Sequence, residues 1–191
     1  MMTGLSAALI AFLLQADSLA AAPPQDTLTV AMSGDIMMGT TYPSTRLPEK
    51  DGKELFKDIA PLLNDADIAV GNLEGTLCDG GASTKKPGKY SYSFRTPTSY
   101  APLLGEAGYD FLSMANNHSN DFGREGMDST EKALDGQGIA YSGIEGRREW
   151  VVIRRSGIRF GIAAFGHNSY TIKHTVPSRV KAILDTLTKV S

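Results

Sequence analysis

Polar or small and apolar positions alternate over residues 27–32 (TLTVAM), the two-residue period of a strand, and the run stops at Ser33-Gly34-Asp35. The first expected strand therefore ends on a carboxylate. Over residues 51–66, DGKELFKDIAPLLNDA sets Leu55, Phe56, Ile59, Leu62 and Leu63 at helical spacing, which predicts a helix kinked or broken at Pro61. A short apolar run at 68–70 predicts a second strand, again running into polar side chains at Asn72 and Glu74. Residues 75–99, rich in Gly, Lys, Ser, Pro and Tyr, read as a loop long enough to be functional. Leu103 and Leu104 mark a helix closed at Gly108, and residues 109–115 form a third strand that enters MANNHSNDFG at 114–123. Beyond it the pattern predicts a helix over 123–138, a short strand over 140–144 and two strands about Ser156-Gly157. A last helix carries Val180, Ile183, Leu184 and Leu187 on one face, with Pro177 and Ser178 near its start.

Strands alternating with helices predict an α/β fold, a layered αββα arrangement with parallel neighbours in at least one sheet. In such sheets ligands sit beyond the carboxyl ends of the strands. Asp35, Asn72 with Glu74, and Asn117 with His118 all follow expected strand ends. Taken singly, each cluster suits a turn or a cap equally well. Three clusters at successive strand ends are better explained by a shared cation, because buried polar groups are costly without partners. Oxygen donors with an imidazole and no thiolate suit Mn, Fe or Zn, and a pair of such ions clamps both oxygens of a phosphoester undergoing hydrolysis. His118 is the candidate catalytic base or acid. Asp121, three residues on, either orients its imidazole or caps the next helix. Arg95 offers a guanidinium for an anionic substrate, with an ordinary surface arginine as the alternative. His167 and His174 read as capping and solvated residues, and Cys78 has no base partner that would make it a nucleophile.

Composition narrows the classes further. With 191 residues and 41% apolar content the chain builds one ordinary core. Nineteen basic against 21 acidic residues give a net charge of −2, which disfavours nucleic acid and anionic membranes as partners. The lone Cys78 excludes an internal disulfide and a multi-thiolate zinc site. Residues 1–20 carry an apolar stretch from Leu5 to Leu14 and small residues at Ser18 and Ala20, the pattern of a cleaved secretory signal. That stretch is short of the roughly 20 apolar residues of a bilayer span, so no permanent anchor is expected. Residues 21–26 then form a spacer before a domain over 27–191, exported to the periplasm or cell surface.

In this order, GDIMMG at 34–39, GNLEGTL at 71–77, FRTP at 94–97 and MANNHSNDFG at 114–123 resemble the CapA family, named for poly-γ-glutamate capsule biosynthesis. The resemblance spans about residues 28–165. It implies a fold similar to calcineurin-like metallophosphatases, with a dimetal site at strand ends. Carried over, the metal-type ligands are Asp35, Glu74, Asn117 and His118 with Asn72 adjacent, and Arg95 lies near the substrate. It also implies an anionic polymer and the capsule-synthesis machinery as partners. The HWG and GHxH motifs of such folds do not occur after residue 166, which predicts a C-terminally truncated chain or a sheet completed by a second one. Three functions stay open at this point: a metal-dependent step on a poly-γ-glutamate-like polymer, a generic phosphoesterase, and a non-catalytic assembly subunit or inactive fragment.

Overall fold

The computed structural model describes residues 27–155 and 157–191; the expected signal peptide and spacer lie outside the described residues. Four strands form a parallel sheet in the order β1 (Val30–Ile36), β2 (Ile68–Leu73), β5 (Phe111–Ser113), β6 (Ala140–Ser142). Between β2 and β5 in the chain, the two-residue strands β3 (Thr76–Leu77) and β4 (Arg95–Thr96) pair in parallel inside the long loop. The antiparallel hairpin β7 (Val151–Arg155) and β8 (Ile158–Ile162) follows β6. The α/β class, the parallel sheet and the hairpin agree with the hydrophobic pattern.

Helices α1 (Ala60–Asp65), α2 (Ala101–Ala107) and α3 (Gly123–Asp135) supply the rest of the main core. In α3 the buried residues Gly126, Met127, Thr130 and Leu134 recur at three- and four-residue steps. Thr130 Oγ1 accepts the Leu77 N–H at 2.9 Å, pinning the helix to β3. Gly108 ends α2 with φ 98°, and its N–H reaches the carbonyls of Leu104 and Gly105. A second, smaller core forms where Ile183 and Leu187 of α4 (Pro177–Val190) meet Trp150, Val152, Ala163 and Phe165 beside the hairpin.

Two elements differ from the pattern. The helix expected over 51–66 is helical only from Ala60 to Asp65. Lys50, Asp51 and Gly52 take positive φ, so the chain turns there, and Pro61 sits in the first turn of α1, where its missing N–H costs nothing. Of the expected apolar face only Leu63 is buried, while Leu62 is 70% exposed. Strand β1 begins later and runs further than expected, through Asp35 to Ile36, and it is bulged. Met32 pairs with Val70 and Asp35 with Asn72, so two residues of β1 oppose one of β2. Gly71 makes room for this: a Cβ there would lie 2.6 Å from Ile36 Cδ1 and 2.7 Å from Ser33 Oγ. The extra residue shifts Asp35 onto the face it shares with Asn72, since neighbours in register project to the same side.

Candidate functional site

The carboxyl ends of β1, β2 and β5 meet at one edge, and the bulge places a carboxylate on it. Asn72 Nδ2 donates to Asp35 Oδ1 at 2.7 Å. Asn116 Nδ2 donates onward to Asn72 Oδ1 at 3.1 Å and to the Leu73 carbonyl at 2.9 Å. The Asp35 and Glu74 carboxyl groups lie close enough to perturb each other's ionisation. The Asn72 hydrogen bond, then the Glu74 carboxyl group, holds Asp35 below its ordinary carboxylate range. Burial first, then the Asp35 carboxylate, pushes Glu74 the other way. Two carboxyl groups thus share a site that favours one negative charge more than two.

The opposite wall is the MANNHSNDFG turn. The Asn116 side chain bends the chain by accepting the His118 N–H at 2.9 Å, and Ser119 Oγ donates to the Met114 carbonyl at 2.5 Å. His118 and Asp121 are both buried. His118 Nδ1 lies 2.8 Å from Asp121 Oδ2. Nδ1 also lies 2.9 Å from the Lys85 ammonium, which only donates, so it faces a carboxylate and an ammonium together, while Nε2 faces Glu74 Oε1 at 3.4 Å. Asp121 Oδ2 also accepts the Phe94 N–H at 2.7 Å. The Lys85 ammonium compensates the buried carboxylate, 2.7 Å from Oδ1 in an ionic contact, and donates to the Tyr92 carbonyl at 2.8 Å. The Phe94 ring stacks on the imidazole at 4.2 Å between centroids. The Tyr170 hydroxyl bonds the Asn116 carbonyl at 3.1 Å, and burial and the Asp121 charge push its pKa up to about 12.

Asp35, Asn72, Glu74, His118 and Asp121, all named from the sequence, are therefore gathered at one place. Asp121 does not cap α3: Phe122 holds the cap position with no side-chain bond, and the Asp121 carboxylate turns inward to His118. Asn117 is exposed on the rim of a recess with Thr84 and Tyr170, and its neighbour Asn116 carries the hydrogen bonds of the turn. Arg95 is occupied within the loop cluster. Its guanidinium group donates to Thr41 Oγ1 at 2.9 Å and to the Gly81 carbonyl at 3.2 Å, and it sits 5.6 Å and 5.3 Å from the Tyr42 and Phe122 ring centroids. That arrangement makes it a clamp between loops. His167 is exposed, and His174 Nδ1 meets the Gly166 carbonyl. Burial raises the Cys78 thiol pKa, which disfavours a thiolate. Asn116, Lys85 and Phe94 are the site residues that pattern reading missed.

The donor chemistry of Asp35 and Glu74, two carboxyl groups strained by proximity, suits a divalent cation, with the Asn72 amide alongside. Among the described residues, no group of three or more His, Cys, Asp or Glu side chains has the geometry of a metal site. The fit therefore rests on the carboxyl pair.

A model of the family described as bacterial capsule synthesis protein PGA_cap matches residues 29–187. The chain belongs to this family. Its metallophosphatase-like fold agrees with the layered α/β arrangement seen here. The PGA_cap chain is similar to the PGA biosynthesis protein CapA of Bacillus subtilis (strain 168), 25% identical over 145 residues that cover 73% of this chain and 37% of that protein. The capsule biosynthesis protein CapA of Bacillus anthracis is 28% identical over 119 residues, covering 62% and 28%. An uncharacterized protein of Sinorhizobium fredii, y4sH, is 32% identical over 124 residues, covering 62% and 25%. The matches span between a quarter and just over a third of the lengths of these relatives.

Proposed function

We propose that this PGA_cap chain serves bacterial capsule synthesis through a divalent-cation-dependent hydrolytic step on an exported anionic polymer of the poly-γ-glutamate kind. The family and the names of its Bacillus relatives support the capsule role. The observation that carries the chemistry is the convergence of the Asp35–Glu74 carboxyl pair with a His118 already oriented by Asp121. Asp35 and Glu74 would hold the cation, with the Asn72 amide next to it; Mn, Fe and Zn are the candidates by donor type. A cation there supplies Lewis-acid polarisation of a carbonyl or phosphoryl oxygen. His118 takes up or delivers a proton at Nε2, since its Nδ1 is engaged by Asp121 and Lys85. Phe94 fixes the ring plane, and Lys85 keeps the Asp121 charge compensated through each proton transfer. The apolar segment near the N-terminus supports export, and among the described residues no helix is long and apolar enough to cross a membrane.

The test is cleavage of a γ-glutamyl oligomer by the full chain with and without added Mn²⁺, beside its Asp35→Ala and His118→Ala variants. Cation-dependent cleavage lost in both variants is expected. Failure to take up the cation, or equal rates in all three proteins, defeats the proposal. The metallophosphatase-like fold favours a second reading, a phosphoesterase, which cation-dependent phosphate release from a simple ester with no oligomer cleavage would support.

A further inference from the structure

Next to the strand-end site, the turn around residues 40–46 and the loop around residues 83–94 enclose a cleft of about 470 Å³. That lies inside the range of roughly 300–1,000 Å³ typical of ligand clefts. Its wall carries the cations Arg46, Lys85 and Lys89 among the aromatic side chains of Tyr42, Tyr92 and Phe94, and no Asp or Glu lines it among the described residues. Lys85 is committed to Asp121. The other two are not neutralised: Lys89 meets only the Tyr90 ring, at 5.3 Å, and Arg46 has no ion-pair partner among the described residues. In a chain of net charge −2, two uncompensated cations on one cleft wall make a local positive field that an anion satisfies.

We propose that this cleft is a subsite for an oligocarboxylate chain, with Arg46 and Lys89 binding carboxylates that flank the reacting bond. It deepens the proposed function and rests on that reading for the polymer's identity. The cleft and the strand-end site share a wall. Lys85 lines the cleft and reaches Asp121 at 2.7 Å, and Phe94 lines it and stacks on His118. The cleft and the imidazole thus lie on two sides of the Phe94 and Lys85 side chains. The wall also matches the ligand's alternation. Tyr, Pro, Met and Phe side chains offer apolar surface for the methylenes of a glutamyl chain, and Arg46 and Lys89 offer charges for its carboxylates. A phosphate chain lacks those methylenes and would leave the apolar lining unused. Arg95, by contrast with Arg46 and Lys89, already has its guanidinium bonded to Thr41 and Gly81.

The probe is a fluorescein-labelled γ-glutamyl hexamer, titrated by anisotropy with the full chain in the absence of added metal. Binding that weakens with salt is expected, because the contacts are exposed ion pairs. The double variant Arg46→Gln/Lys89→Gln binds about tenfold or more weakly, whereas Arg46→Lys stays close to the wild type. Both positions are exposed, and an unchanged melting temperature checks the fold of each variant. An uncharged glutamine hexamer does not compete, and a linear hexaphosphate competes less well than unlabelled oligoglutamate. Equal affinity of the double variant and the wild type, or equal competition by the uncharged hexamer, overturns the subsite. Stronger competition by hexaphosphate overturns its carboxylate assignment. Hexamer binding that depends on Arg46 and Lys89, with no cleavage by the wild type in the presence of Mn²⁺, would sink the hydrolase reading and keep the subsite.

Discussion

The two walls of the candidate site differ in how completely they are built. On the His118 wall nearly every polar group has its partner inside the protein: the imidazole has Asp121, Asp121 has Lys85 and the Phe94 N–H, and the Asn116 amide has Asn72 and Leu73. On the carboxyl wall Asp35 is exposed and Glu74 is held with its charge disfavoured. A satisfied buried network fixes positions, because leaving any member unpaired is costly. A like-charged pair at an open edge does the reverse and is relieved when something positive arrives. One wall is held by its own partners, and the other leaves two carboxyl groups without a compensating positive charge of their own among the described residues.

The largest effect expected is on the satisfied wall. Asp121→Ala removes a fully buried carboxylate from Lys85, His118 and the Phe94 N–H together. A broken buried pair costs about 3–5 kcal/mol. Because Lys85 is 28% exposed and rehydrates in part, the lower end, about 3 kcal/mol by urea unfolding, is expected. A loss below about 1 kcal/mol would mean that this wall is not the rigid one. On the carboxyl wall the sign reverses: Mn²⁺ at a hundredfold excess over its dissociation constant stabilises the wild type by about 2.7 kcal/mol. Asp35→Asn abolishes the response, and equal melting shifts in the two proteins would show that the cation binds elsewhere. Phe94→Ala is next, at about 2 kcal/mol for a half-buried ring plus its stacking. Phe94→Leu should restore most of that stability without restoring a pH profile of cleavage that depends on His118; full recovery of both would remove the ring's positioning role.

The same contrast explains which parts of the site are legible in the chain. Asp35, Glu74 and His118 follow apolar runs, and parallel strands always bring their carboxyl ends to one edge, so their convergence is readable from alternation alone. The β1 bulge is not, because an extra residue is visible only against the partner strand, here in the pairing of Met32 with Val70 and of Asp35 with Asn72. Without the bulge Asp35 would face away from Asn72. The choice between Asn116 and Asn117 turns on the bend of a single loop, and neighbouring identical side chains carry no pattern that separates them. Lys85 reaches Asp121 from a loop without periodicity, where only the loop's length hinted at function. The helix expected over 51–66 failed because left-handed turns at Lys50 and Asp51 precede it and Pro61 starts a helix as readily as it breaks one. Helices α3 and α4 were readable from their helical spacing, although α3 ends at Asp135 and, of the apolar face expected on α4, Ile183 and Leu187 are buried while Leu184 is 48% exposed.

The smallest expected effect is also the most discriminating, because it is a gain. Glu74 has a folded-state pKa above its ordinary value, with burial the first cause and Asp35 the second. Below the unfolded pKa of about 4.5, Glu74 is protonated in both states and costs nothing. As the pH rises past that value, the unfolded chain releases its proton first while the folded chain retains it. The unfolded state then binds fewer protons, and stability falls with pH until the folded group has also ionised. Glu74→Gln removes this loss and keeps an N–H donor for Asp35. The variant should therefore unfold at higher urea than the wild type at pH 7, and the advantage should shrink toward pH 4. A gain of the same size at both pH values, or none at pH 7, would mean that the carboxyl wall is not strained by charge. Saturating Mn²⁺ should cancel the advantage at pH 7, since the cation relieves in the wild type what the glutamine removes in the variant.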